Sequence, residues 1–184
     1  MSHLAVYRDN DPATRVLDTG DGERIAAALS EIGVHFERWP AKAQLAAGAT
    51  DADVLAAYAS EIESLKQAGG YRAVDVARVR PDHPDRAAMR DKFLSEHRHD
   101  EDEVRVFVEG AGLFCLRDQG NVHLVLCETG DMISVPAGIR HWFDMGASPR
   151  FTVIRLFTSS EGWVAHYTGD PIAEAFPRLE PSPA

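Results

Sequence analysis

Apolar positions recur every three or four residues through much of the first half of the chain, whereas the second half is built of short apolar or alternating runs. Over residues 23 to 32, ERIAAALSEI, the side chains of Ile25, Ala28, Leu29 and Ile32 share one helical stripe, and Gly33 is placed to end the helix. A second helix is predicted over 51 to 68 through Val54, Leu55, Tyr58, Ile62 and Leu65, with Gly69 and Gly70 as the stop. A third, shorter one is predicted over DRAAMRDKFLSE, residues 85 to 96. From Val104 the texture changes. VRVFVEG, GLFCL, VHLVLCE, DMISVP and RFTVIRLF are separated by Gly, Pro, Asp and Asn, which predicts consecutive antiparallel strands in a sandwich or barrel. The expected organisation is a single domain, mainly β. Residues 1–70 form a mainly helical N-terminal part packed outside, 71–170 the barrel core, and 171–184 a tail whose end, FPRLEPSPA, reads as disordered.

Composition narrows the class. The 184 residues are 45% hydrophobic and 26% charged, which is globular usage. A formal net charge of -10 favours solubility and opposes binding to polyanions, so nucleic acid is not an expected partner. Neither a signal-peptide core nor a membrane span of roughly 20 apolar residues is present, and a cytoplasmic location is expected. Cys115 and Cys127 lie inside apolar runs and read as buried free thiols.

Candidate chemistry concentrates in EHRHDEDEV, residues 96 to 104. If this stretch is extended, His97, His99 and Glu103 project to one face and Arg98, Asp100 and Asp102 to the other. Downstream, Gly130, Pro136, Gly138 and His141 stand at offsets that suit a turn returning a third imidazole to the same point. The two spacings together resemble the two halves of the cupin signature, in which a double-stranded β-helix (jelly-roll) barrel brings two hairpins to one metal. The asparagine often found four positions beyond the last histidine is here Met145. Three imidazoles and one carboxylate suit a divalent transition ion and leave open positions on an octahedral sphere, as a catalytic site requires. His3, His35, His83, His123 and His166 are assigned no metal role, and Glu101 reads as a solvated charge. Arg105, two positions beyond Glu103, is expected to face the same interior, where a buried cation needs a partner.

The wider context is more specific. The blocks from YRAVDVARV through KFLSEHRHDEDEVRVFVEG, GDMISVPAGIRHWFDMG, FTVIRLF and GWVAHYTGD, about residues 70 to 170, closely resemble the acireductone dioxygenase family of methionine salvage. That resemblance implies one Fe²⁺ or Ni²⁺ per chain on His97, His99, Glu103 and His141. The implied substrates are the acireductone 1,2-dihydroxy-3-keto-5-methylthiopentene and O₂, acted on by a monomer. The iron form is expected to give 4-methylthio-2-oxobutanoate and formate, and the nickel form 3-methylthiopropanoate, formate and carbon monoxide. By the same resemblance Arg105 stabilises the substrate dianion, Glu96 aids metal incorporation, and Asp102 couples changes at the site to its surroundings. Phe93, Phe143 and Trp163 are candidates for the apolar wall around the methylthio tail, with ordinary core packing an equal alternative. Another small-molecule cupin dioxygenase or isomerase, or a noncatalytic metal-binding cupin, would share the ligands but not the pocket.

Overall fold

A computed structural model describes residues 1–39, 45–46, 48–159 and 163–179. In chain order its elements are β1 (His3–Arg8), β2 (Asp11–Thr19), α1 (Gly22–Ser30), β3 (His35–Arg38), α2 (Asp51–Ala57), α3 (Ala59–Gly69), β4 (Ala73–Val79) and α4 (Arg86–Leu94). There follow β5 (His97–Arg98), β6 (Glu103–Asp118), β7 (Asn121–Glu128), β8 (Asp131–Val135), β9 (Arg140–Asp144), β10 (Phe151–Phe157), β11 (His166–Tyr167) and a 3-10 helix, Pro171–Ala175. Every strand pairing is antiparallel. No helix among the described residues is long and apolar enough to cross a membrane.

The 16-residue β6 holds the architecture together. Its first half lies between β8 and β10, and its second half lies between β7 and β9. One sheet therefore runs β11-β5-β9-β6-β7-β1-β2, and β3, β8, β6, β10 and β4 form the sheet facing it. Between them sits a core that includes Leu4, Val6, Phe107, Phe114, Ile133, Phe143 and Val153, closed on one side by Ile25 and Leu29 of α1. Helices α2 and α3 cover the outer face of the second sheet, with Val54, Tyr58 and Ile62 against Val104, Val106, Ile154 and Leu156. The outer face of the first is covered by Ala173 and Phe176, which meet Tyr7, Cys115, Leu124 and Trp142.

A bulge in β6 decides what faces inward. The register against β10 shifts between Val153↔Phe107 and Thr152↔Glu109, and Gly110 follows with φ 75°. A Cβ there would stand 1.8 Å from the Arg150 carbonyl oxygen, so only glycine fits. Before the bulge Val104 and Val106 face α2 and α3 while Phe107 enters the inner core; beyond it Phe114 and Leu116 enter that core. Inward-facing parity thus switches from odd to even residues within one strand.

The mainly β class with helices outside agrees with the sequence reading, and both cysteines are buried and free as expected. Several elements differ. The helix expected over 51–68 breaks at Tyr58, whose ring turns in to stack on Trp39 with 6.1 Å between centroids. Helices do occupy much of residues 1–70, but β1, β2 and β3 lie there too. The run in β1 is apolar throughout, with Leu4, Ala5, Val6 and Tyr7 all buried because both faces of that strand are covered, and so shows no alternation. The tail is ordered through Leu179, since Phe176 is buried and the Leu179 amide donates to Asp144 at 2.9 Å. Residues 180–184 of the expected disordered end lie outside the described residues.

Candidate metal centre

His97 and His141 sit directly across from one another on β5 and β9, and His141 is in turn opposite Leu116 of β6. Lateral neighbours in a sheet point the same way, so both imidazoles enter the barrel. Glu103 opens β6. Residues 96–104 do not form one strand, contrary to the simplest reading: β5 is two residues long, and His99 lies in the loop before β6. The loop is tied to the turn that carries the other motif. Gly138 donates its amide to the His99 carbonyl at 2.9 Å, and Ala137 donates to Asp102 Oδ1 at 3.0 Å. Gly138 makes this turn with φ 85°, a left-handed conformation that suits glycine.

The three rings converge, with centroids 4.5 Å (His97 to His141), 5.0 Å (His97 to His99) and 5.1 Å (His99 to His141) apart. One ligand atom from each lies within 4.8 Å of the others. Each Nδ1 is within hydrogen-bond distance of a backbone carbonyl: His97 to Ser95 at 2.7 Å, His99 to Val164 at 2.8 Å and His141 to Ile139 at 2.9 Å. With Nδ1–H donating there, Nε2 is the free lone pair, and on His99 and His141 it faces Glu103 Oε2 at 3.1 Å and 2.9 Å. Sequence patterns carry no signal for the three carbonyls, because they belong to the backbone.

The charges explain one another. Burial opposes ionisation of Glu103, but the Arg105 guanidinium and the facing imidazoles outweigh it and hold the carboxyl well below its ordinary range. Burial, aided by His141, pushes His97 down to about 4, so it stays neutral and ligand-competent. For His99 burial acts downward too, but Glu103 prevails and the value rises. Both Glu103 oxygens and Nε2 of His141 are buried without an aligned hydrogen bond, despite their close approach. Lone pairs that converge in a dry site yet do not satisfy one another fit a divalent cation. Imidazole and carboxylate donors suit iron, nickel or zinc.

Arg105 lies inside, as its position implied, with Nη2 2.7 Å from Glu103 Oε1. Its guanidinium stands 4.7 Å from the Phe143 ring centroid, 5.1 Å from that of Phe114 and 5.5 Å from that of Trp163. Trp163 stacks on His99 with 6.0 Å between centroids and donates Nε1–H to the Asp102 carbonyl at 3.0 Å. Phe93 is one layer further out, edge-on to Phe143 at 6.4 Å. Glu96 points away from the cluster to Arg117 at 3.3 Å and Thr168 at 2.6 Å. Phe114 belongs beside the predicted residues, a placement that strand alternation does not signal because the bulge reverses its parity. Tyr167, 5.7 Å from the His97 ring, has no sequence signal of its own. A cleft of about 330 Å³ borders His99 and Trp163, with Asp100, Glu101, Ser159 and His166 on its rim.

Two facing antiparallel sheets with three imidazoles and a carboxylate buried at one point define a metal-binding protein of the cupin fold class. Within that class the chain belongs to the ARD/ARD′ family, whose model matches residues 3–165, and it is a dioxygenase. Acireductone dioxygenase from Parvibaculum lavamentivorans is 60% identical over 183 residues, covering 100% of both chains. The protein of that name from Pseudomonas aeruginosa is 56% identical, covering 98% of this chain and 99% of its own. A solved acireductone dioxygenase from Bacillus anthracis, with cadmium ion in its active center, superposes with TM-score 0.78 at 30% identity, covering 91% of this chain and 98% of its own.

Proposed function

We propose that this chain cleaves the acireductone 1,2-dihydroxy-3-keto-5-methylthiopentene with O₂ on an iron or nickel ion held by His97, His99, Glu103 and His141. The reading rests on the convergence of the three buried imidazoles with Glu103, 2.9 to 3.1 Å from two of them, and on the unpartnered Glu103 oxygens and His141 Nε2. Relatives that bear the acireductone dioxygenase name over their full length support it. A divalent ion held by these residues would supply Lewis acidity toward the substrate's oxygens.

The chain's own residues do the rest. The Ser95, Val164 and Ile139 carbonyls hold the three rings with Nε2 inward, so little reorganisation is left for binding. Arg105 places a fixed positive charge beside the ligand set, where an ene-diol losing its protons gathers negative charge. Phe143, Phe114 and Trp163 sheath that guanidinium, which keeps water away and strengthens its field. Phe93 and Phe143 form the apolar wall for the methylthio tail. Asp102 couples the loop of His99 to the turn before His141, and Glu96, held by Arg117 and Thr168, aids metal incorporation.

With iron the products are 4-methylthio-2-oxobutanoate and formate, the route of methionine salvage. With nickel they are 3-methylthiopropanoate, formate and carbon monoxide. The described donor set contains no thiolate to bias the choice of ion. The test is to strip the protein, load separate samples with iron and nickel, add acireductone and oxygen, and measure headspace carbon monoxide. Carbon monoxide from the nickel sample alone is expected. Equal amounts from both active samples would sink the metal-dependent product claim.

A further inference from the structure

We propose that Gly112 is a positioning residue of this site: its bare α-carbon is the seat of the Phe143 ring, and through that ring it fixes the Arg105 guanidinium. The inference rests on the role given above to Arg105.

Glycine in the middle of a strand weakens it, so its presence in β6 needs a reason. Backbone conformation is not that reason, because Gly112 is not among the glycines with positive φ. Space is. A Cβ on Gly112 would fall 2.3 Å from Cζ and 2.5 Å from Cε2 of Phe143, and 3.4 Å from Cε1 of Phe107. Carbon atoms in ordinary contact stand about 3.5–4.0 Å apart, so a methyl group here drives the ring back by roughly 1 Å.

The ring has few places to go. Phe143 is fully buried, with the rings of Phe114, Phe151 and Phe93 at 5.0, 5.9 and 6.4 Å from its own. Phe114 and Phe151 stand within the packed interior, and the half-buried Phe93 of α4 backs the third side. Of the neighbours around it, Arg105, 4.7 Å away, offers the far end of a flexible side chain. A displaced ring therefore pushes the guanidinium from its 2.7 Å approach to Glu103. None of this disturbs the Nδ1 anchors of the three histidines, so the ion should stay.

The experiment compares Gly112→Ala, Phe143→Leu and the double variant, each as the full chain loaded with iron. Metal content, melting temperature, kcat and KM are measured on each, and a crystal structure is determined for Gly112→Ala. The alanine variant should hold wild-type metal, show the ring moved and the Arg105–Glu103 approach lengthened, and lose kcat about tenfold or more. Phe143→Leu should itself lower kcat, and in that background, where there is room for the methyl group, Gly112→Ala should cost little more. An unmoved Arg105, or a Gly112→Ala loss of kcat as large in the Phe143→Leu background as in the wild type, would overturn the proposal. So would a Gly112→Ala chain that fails to fold and, once refolded by Phe143→Leu, falls well below the kcat of Phe143→Leu alone. Wild-type turnover on acireductone in the same assay tests the functional reading separately, and the crystal structure tests the seat whatever that turnover is.

Discussion

Glu96 and Glu103 are both almost fully buried, at 2% and 1% exposure, yet they live in opposite circumstances. Glu96 is fully engaged: Arg117 donates to one oxygen, the Thr168 hydroxyl donates to the other, and the Thr168 amide bonds its backbone carbonyl. Glu103 has one guanidinium and two imidazoles around it, at 2.7 to 3.1 Å, but no aligned hydrogen bond on either oxygen. Burial of a carboxylate is thus no mark of a metal ligand by itself. What separates the two is satisfaction: Glu96 ties β5 to the segment after β11, whereas Glu103 keeps lone pairs free for something that is not protein.

Neutralising each carboxylate in turn separates a ligand from a structural anchor. Glu103→Gln, like His141→Ala, should weaken metal retention about 100-fold or more, because a ligand is lost from a set of four. Glu96→Gln should keep its ion, since the amide still accepts from Thr168 and points away from the cluster. Elemental analysis after dialysis against a chelator decides the matter, and equal retention by Glu103→Gln and Glu96→Gln would dissolve the distinction.

Next in size is Arg105. Replacing it with alanine should leave the ion in place but lower kcat by roughly 10²–10³, as removal of a preorganised charge does. Lysine should rescue only in part, because it cannot reproduce the planar group stacked against Phe143 and Trp163. Unchanged turnover in a metal-loaded Arg105→Ala protein would make this arginine a structural partner of Glu103 alone.

A smaller effect tests a satisfied carboxylate on its own terms. Asp144, 1% exposed, accepts from Arg90 at 2.7 and 2.9 Å and from the amides of Gly146 and Leu179. Burial raises its carboxyl, but Arg90 and the two amides prevail and hold it below the ordinary value. Asp144→Asn should cost about 2 kcal/mol at neutral pH. Because the folded value is depressed, this stabilisation is complete above the unfolded value of about 3.9 and is lost as pH falls through the lower folded one. Urea midpoints should therefore show a constant gap between wild type and variant down to about pH 5, closing below about pH 4. A gap that widened in acid would contradict the assignment.

The convergence of His97, His99, Glu103 and His141 was legible in the sequence because side-chain type, spacing and turn glycines all have to agree there. The loop conformation of His99 was not, since two-residue β5 is too short to leave any alternation. The inward turn of Arg105 could be inferred by counting from Glu103, but that of Phe114 and Gly112 could not. Between them lies the Gly110 bulge, which reverses the count, and a bulge is seen only when the partner strand is in view. The strands β1 and β4 hid for another reason: cover on both faces, or half-burial along the whole strand, erases period two. Phe176 looked like part of a loose Pro-rich end, and only its contacts with Tyr7 and Trp142 show that it closes the outer face of the sheet.

If the inward-facing set is a metal centre that consumes acireductone and oxygen, its activity must follow the bound ion. The direct measurement is oxygen uptake with acireductone as stripped protein is titrated with ferrous iron. Uptake should be absent at the start, rise in proportion to bound ion, and saturate at one ion per chain. Uptake by the stripped protein equal to that of the loaded one, or a fully loaded protein that leaves acireductone and oxygen untouched, would contradict it.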